Sequence, residues 1–359
     1  MAVCPVRSSL LHVTRSDVDP GALLAGPRGR RACWELLTQT GGWEWEEPPE
    51  SAGAARLAAA LGAAVARTDV GALAVAREPA SFFSALTDAV TWAMYWQEPD
   101  DRDRRLADPR VVEQLWPVAE AVSRAPAARW WSTPMDPATQ HEVVFDDPDG
   151  RSLPHPPDDG RAALLAWRAG TLEDERRAAD RPDDPRAPHS GYWWSTPAPS
   201  ALRCSTRSLE STGPVGLHLV EDAFSWSSAR CWSLQLRPSA SIFEIAGADD
   251  WTELVRRYPL AVTKSRRHDW WRATACDLEW AIPDFHAVAD DYDAIHLSVA
   301  GYLSTAGRAI RADETHTVLA GWNPDETWWL TDSPQHVDPA VRWVATGDIE
   351  PFAWARSTT

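Results

Sequence analysis

Tryptophan occurs 22 times in 359 residues, and eight of these indoles form adjacent pairs: Trp130-Trp131, Trp193-Trp194, Trp270-Trp271 and Trp328-Trp329. In a strand, neighbouring side chains point to opposite faces. An indole pair there demands a sheet covered on both sides, or one whose second face meets a ligand. Each ring buries roughly 150–250 Å² and brings an N–H that needs an acceptor. The pairs therefore point to an aromatic core or to an aromatic-walled pocket.

The charge balance narrows the partners. Asp and Glu total 52 against 35 Lys and Arg, a formal net charge of −17. Duplex nucleic acid requires clustered positive charge, so it is excluded as a partner, while a single nucleotide needs only a few arginines. The five cysteines, Cys4, Cys33, Cys204, Cys231 and Cys276, are widely spaced and lack a C-x-x-C. They specify neither a disulfide framework nor a zinc ribbon. The N-terminal segment lacks a continuous apolar run, and no stretch approaches the ~18 apolar residues of a membrane span. These features predict a cytoplasmic protein with no membrane partner.

Two regions of different character follow from periodicity. Upstream, Leu57 and Leu61 mark a helix over 54–67, and Phe82, Leu86, Val90 and Met94 mark another over 81–96. Asp108-Pro109 reads as an N-cap with Pro at the first helical position, and Pro117 is expected to kink or shorten that helix. A fourth helix is expected over 161–179, after a short extended piece at 142–145. The proline-rich stretch 180–190 reads as a linker, with a domain boundary near 185. Downstream, residues 215–220, 231–236, 241–246, 294–299, 317–320 and 327–330 read as short strands. Asp250 and Glu253 read as a capping box before a short helix, and another helix is expected from Pro283. The expectation is an α+β fold: a mainly helical domain over 1–185, then a mixed, partly antiparallel sheet with inserted helices over 186–359.

The pentapeptide Trp-Trp-Ser-Thr-Pro occurs at 130–134 and at 193–197. It reads either as an aromatic pair entering a turn or as two walls of one cleft. No phosphate loop, dinucleotide fingerprint, H-E-x-x-H or G-x-S-x-G is present, and no metal site is predicted. The acidic cluster Glu98, Asp100, Asp101 and Asp103 reads as solvated charge at a helix end.

The segment from Arg203 to residue 332 carries the remaining chemistry: Arg203 and Arg207, then His218, His296 before Leu-Ser, Tyr302, and Trp322 and Glu326 ahead of an aromatic strand. This order resembles the ADP-ribosyltransferase superfamily over about residues 200–332. The resemblance implies a small split α+β domain that binds NAD and transfers ADP-ribose to an acceptor. It makes Glu326 and His218 the catalytic candidates. Glu326 would hold the ribose as oxocarbenium character develops, and His218 a ribose hydroxyl. It implies Arg203 and Arg207 for the diphosphate. Tyr302 and Trp322 would stack on the pyridinium, with His296 in the cofactor-binding strand. The plainer readings remain beside it: His218 and His296 as core histidines, Arg203 and Arg207 paired with carboxylates, Glu326 as a turn cap.

A basic run, Lys264 to Arg272, adjoins an indole pair. Arg266, Arg267 and Trp271 are its candidates for binding substrate, against the alternative of a solvated loop. Two rivals to the transferase stay open. One is a non-enzymatic binding or immunity-type protein with an aromatic cleft for a peptide, basic partner or cationic ligand. The other is a carbohydrate-recognising protein, for which the sequence places no carboxylate pair.

Overall fold

The computed structural model describes residues 18–40, 48–147, 149, 151, 153, 155–156, 159–198, 201–223, 226–331, 334–346 and 353–357. The N-terminal segment and Cys4 lie outside them. The fold is α+β, with helices dominating the upstream half and a mixed sheet the downstream half.

Local chemistry sets the helix starts. Asp19 caps Pro20–Ala25 and Asp108 caps Pro109–Arg124, each with Pro at the first position. The second of these runs through Pro117 to Arg124, so the expected break does not occur. Burial of Leu115, Val118, Ala119 and Val122 along its inner face offsets the missing hydrogen bond. Gly53–Arg67 packs on Pro109–Arg124, and Pro27–Thr40 packs on Ala80–Thr91. The acidic cluster is not mere solvated charge. Asp103 is buried and pairs with Arg28 and Arg31, while Asp100 caps Asp101–Leu106 and pairs with Arg31.

Eight strands form the path of the main sheet: β1 Gln140–Phe145, β2 Cys204–Leu209, β3 Ser228–Gln235, β4 Ile242–Ile245, β5 Ala294–Leu297, β6 Glu326–Trp329, β7 Val341–Thr346 and β8 Ala353–Arg356. Their spatial order is β8-β7-β3-β1-β2-β6-β5-β4. β4 and β5 run parallel, and the other neighbours along this path are antiparallel.

β1 pairs with β2 on one side and β3 on the other. The boundary expected near 185 therefore does not separate the sheet, because an upstream strand lies inside it. One apolar core also continues across that position, from Val18 to Leu330. Trp131, Trp251, Trp270, Trp280, Trp322 and Trp328 are all fully buried, so much of the indole excess serves the core. No described helix is long and apolar enough to cross a membrane.

Three further expectations need correction. Residues Val215–Leu217 form a 3-10 turn rather than a strand, because Gly213 (φ 77°) and Pro214 turn the chain. The basic run is not a loop but the helix Thr263–Thr274. Asp250 lies inside the helix Ala248–Arg257, where its carboxylate accepts from the Ala246 N–H 2.9 Å away.

Candidate functional site

Strand pairing divides the predicted residues between two faces. Along β6, Glu326 faces Thr206 and Leu297 across its neighbours, and Thr327 faces Ser205 and His296. Side chains alternate, so Glu326 and Trp328 share the face packed against the helices. Arg203, Arg207 and His296 share the outer face with Thr327. Asp325, just before β6, also points outward, and its neighbour Glu326 points inward.

The outer network starts at Glu244 on β4. His296 Nδ1 donates to Glu244 Oε2 at 2.6 Å, and its Nε2 stands 3.4 Å from Asp325 Oδ1. Asp325 in turn takes Arg207 Nε at 2.5 Å and the Arg207 backbone N–H at 3.0 Å. The Arg207 guanidinium ends on Thr133 Oγ1 at 2.7 Å. Burial pushes the His296 imidazole down, but pairing with Asp325 and Glu244 outweighs it and raises the pKa to about 9. Burial raises Asp325, but His296 and Arg207 hold it below the usual carboxylate range. The network joins two cations and two anions, with His296 and Asp325 each no more than 1% exposed.

The inner network is built around Glu326 and Glu221. Glu326 accepts from Trp328 Nε1 at 2.9 Å and from Asn323 Nδ2 at 3.3 Å. Asn323 Oδ1 accepts the Glu221 N–H at 2.9 Å, and Glu221 Oε2 accepts the Gly321 N–H at 2.7 Å. Burial pushes Glu221 up to about 8; Tyr302, Gly321 and Arg28 pull it down and Glu326 adds repulsion. Burial also raises Glu326, despite the hydrogen bonds from Trp328 and Asn323. Glu221 Oε1, Tyr95 Oη and Tyr302 Oη are enclosed and make no hydrogen bond of ordinary geometry.

The two networks meet at the turn 321–325, by the C-terminal ends of the parallel pair β4 and β5. Crevices at such strand ends are the usual ligand sites of open sheets. The second Trp-Trp-Ser-Thr-Pro segment reaches this turn directly, and the first is linked to it through Arg207. Thr133 receives Arg207, the partner of Asp325, while Thr196 Oγ1 donates to Gly321 O at 3.0 Å. Ser195 Oγ bridges the Ala320 backbone, donating to its carbonyl and accepting its N–H. Trp194, 37% exposed, lies over Gly321. The repeats thus flank one turn from two sides.

The structure does not gather Arg203, His218 and Glu326 in one hollow. Arg203 donates to Pro334 O at 2.7 Å on the outer face. His218 packs edge-on against Phe83, with burial lowering its pKa. Tyr302 and Trp322 are each 0% exposed, so neither ring is free to stack on a pyridinium. Trp322 Nε1 donates instead to Glu326 O at 3.2 Å. Arg207 is spent on Asp325, and His296 is wholly buried. Arg266 is also buried, its pKa lowered to about 10 by desolvation. It supports the second repeat by donating to Trp194 O at 3.1 Å. Arg267 pairs with Asp183 and Asp277, and Trp271 is half-buried on the same helix. Sequence reasoning missed Glu221, Glu244, Asn323 and Asp325; the last two lie beside Glu326 in the same turn.

A scan against protein-family models found no match, and searches of curated proteins and of solved structures found none either.

Proposed function

We propose that the edge formed by the turn 321–325 and the two Trp-Trp-Ser-Thr-Pro segments binds a ligand carrying an organic cation, an ammonium or guanidinium group. The observation that carries this reading is the Glu221 and Glu326 pair. Both carboxyls are enclosed on one side of the sheet, both are pushed up, and Glu326 raises Glu221 further. Neutral N–H groups of Trp328, Asn323 and Gly321 donate to these two carboxyls. A buried carboxylate without a bonded cation stays protonated or takes its compensation from a ligand. An adjacent indole such as Trp194 adds a cation–π face, worth ~0.5–2 kcal/mol. Cys33, Cys204, Cys231 and Cys276 are free thiols, which suits a reducing, cytoplasmic setting.

Calorimetric titration of the full chain with guanidinium and quaternary ammonium compounds tests the reading. Binding should release protons, seen as a heat that varies with the buffer's ionisation enthalpy, and Glu326→Gln should weaken it at least tenfold. Binding that is absent from the panel, or unchanged in Glu326→Gln, refutes the proposal.

A second reading keeps nucleotide-dependent transfer of the ADP-ribosyl kind. It is favoured by the place of Glu326, a late acid at the mouth of the strand beside the parallel pair. It requires that NAD raise the melting temperature and that Glu326→Gln abolish turnover with the fold intact. The carbohydrate reading gains in Glu221 and Glu326 the carboxylate pair the sequence did not place. It requires quenching of Trp fluorescence by oligosaccharides.

A further inference from the structure

The outer face of the sheet carries a group of ligating side chains away from the turn 321–325. Glu142 on β1 faces Trp232 on β3 across the strand pair, and its side chain is 3% exposed. Each of its carboxylate oxygens meets an imidazole. His155 Nδ1 stands 3.5 Å from Oε1, and His336 Nε2 is hydrogen-bonded to Oε2. One ligating atom from each of the three residues lies within 4.8 Å of the others, the only such grouping of His, Cys, Asp and Glu among the described residues.

The surroundings hold these side chains in place. His336 ends the short strand Gln335–His336, which pairs with β3. Its ring stacks on Trp232 at 5.0 Å with an interplanar angle of 14°, and the His155 ring meets Trp232 edge-on at 4.7 Å. Arg203 Nε lies 3.5 Å from Glu142 Oε1, while its Nη1 anchors the strap at Pro334 O. Two imidazoles, one 13 residues from Glu142 and the other 194 residues away, thus meet one carboxylate at a single point. Both histidines are exposed, so solvent reaches that point.

We propose that Glu142, His155 and His336 form a binding site for a divalent transition-metal ion of the zinc class, with water in the fourth position. Two neutral imidazoles and a carboxylate are a ligand set that zinc uses. Imidazole nitrogen selects such ions over Mg²⁺ and Ca²⁺, which prefer oxygen. Metal–ligand bonds of ~2.0–2.2 Å place two tetrahedral donors ~3.3–3.6 Å apart. The 3.5 Å between His155 and Glu142 already meets that spacing. Trp232 and Arg203 orient the ligands from behind, as outer-shell groups do in metal sites. The bound ion would clip residues 155 and 336 onto β1.

The test uses the full chain without an affinity tag, stripped with a chelator and dialysed against Zn²⁺, Co²⁺ or Mg²⁺. The expected result is one retained equivalent of Zn²⁺ by elemental analysis and none of Mg²⁺. Co²⁺ should give the visible absorption of a four-coordinate ion. His155→Ala and His336→Ala should each weaken retention at least tenfold. Both side chains are exposed, so these variants keep the fold, which circular dichroism verifies. His286→Ala, outside the group, should retain the ion as the parent does. Failure to retain Zn²⁺, or retention unaffected by both His155→Ala and His336→Ala, overturns the site.

Discussion

Asp325 sits at φ 59°, in the left-handed region that Asp and Asn tolerate better than most residues. That backbone state lets its carboxylate accept both the side chain and the backbone N–H of Arg207 while facing His296. Asp325→Asn keeps the backbone and removes the charge, leaving two cations without their shared anion. Breaking a buried pair in this way costs about 3–5 kcal/mol, which denaturant titration will measure. His296 adds a pH signature. Its folded pKa of about 9 lies above the unfolded value of 6.5, so its contribution is complete below pH 6.5. The contribution declines as pH rises from there and is gone above about 9. Glu221, raised to about 8, acts in the same sense over a lower window, from 4.5 upward. The melting temperature should therefore fall between pH 6.5 and 9. His296→Gln should flatten that slope, and an unchanged slope would reject the assignment. Glu221→Gln should raise stability above pH 8, where the parent buries a charge.

At the scale of elements, backbone contact explains several glycines. A Cβ on Gly26 would lie 1.9 Å from Leu303 O, and one on Gly301 2.2 Å from Ile245 O. These contacts seat the upstream helices on Val299–Thr305, and that helix on β4. Gly26→Ala and Gly301→Ala should each destabilise the fold by more than the ~1 kcal/mol typical of a substitution, because backbone must move. Thermal melts will show it. The helix start at 109 is legible in the sequence because Asp-Pro specifies both cap and first turn. The helix Thr263–Thr274 is not, because its buried face includes Ser265, Arg266, His268 and Asp269 beside Trp270. Polar side chains satisfied by partners such as the Val262 and Trp194 carbonyls erase the apolar stripe that periodicity reads.

Across the whole molecule, β1 is the decisive strand. It lies 59 residues before β2 by number (145 to 204), yet fills the gap between β2 and β3. Strand order of this kind depends on long-range pairing and leaves no mark in local sequence. The same holds for the division of Arg203, Arg207 and Glu326 between faces, which only the pairing of β2 with β6 reveals. Residue types at the edge were legible, as Glu326 and the repeated pentapeptide attest; their orientation was not. With one core running from Val18 to Leu330, calorimetry should record a single cooperative transition rather than separate melts of 1–185 and 186–359. Two resolved transitions would contradict a shared core.

Asp325 and Glu326 are consecutive acids that face opposite sides of the sheet. Moving β6 along its neighbours by a single position would present the longer acid to guanidinium and imidazole, and would turn the shorter one toward the helices. Arg207 and His296 would then lose the carboxylate that fits between them. Hydrophobic alternation alone is a poor guard here, since Trp328 and Trp329 offer an indole to either side. The phase of this strand is thus encoded by charge, and a one-residue insertion just ahead of it should be far more damaging than one at position 190.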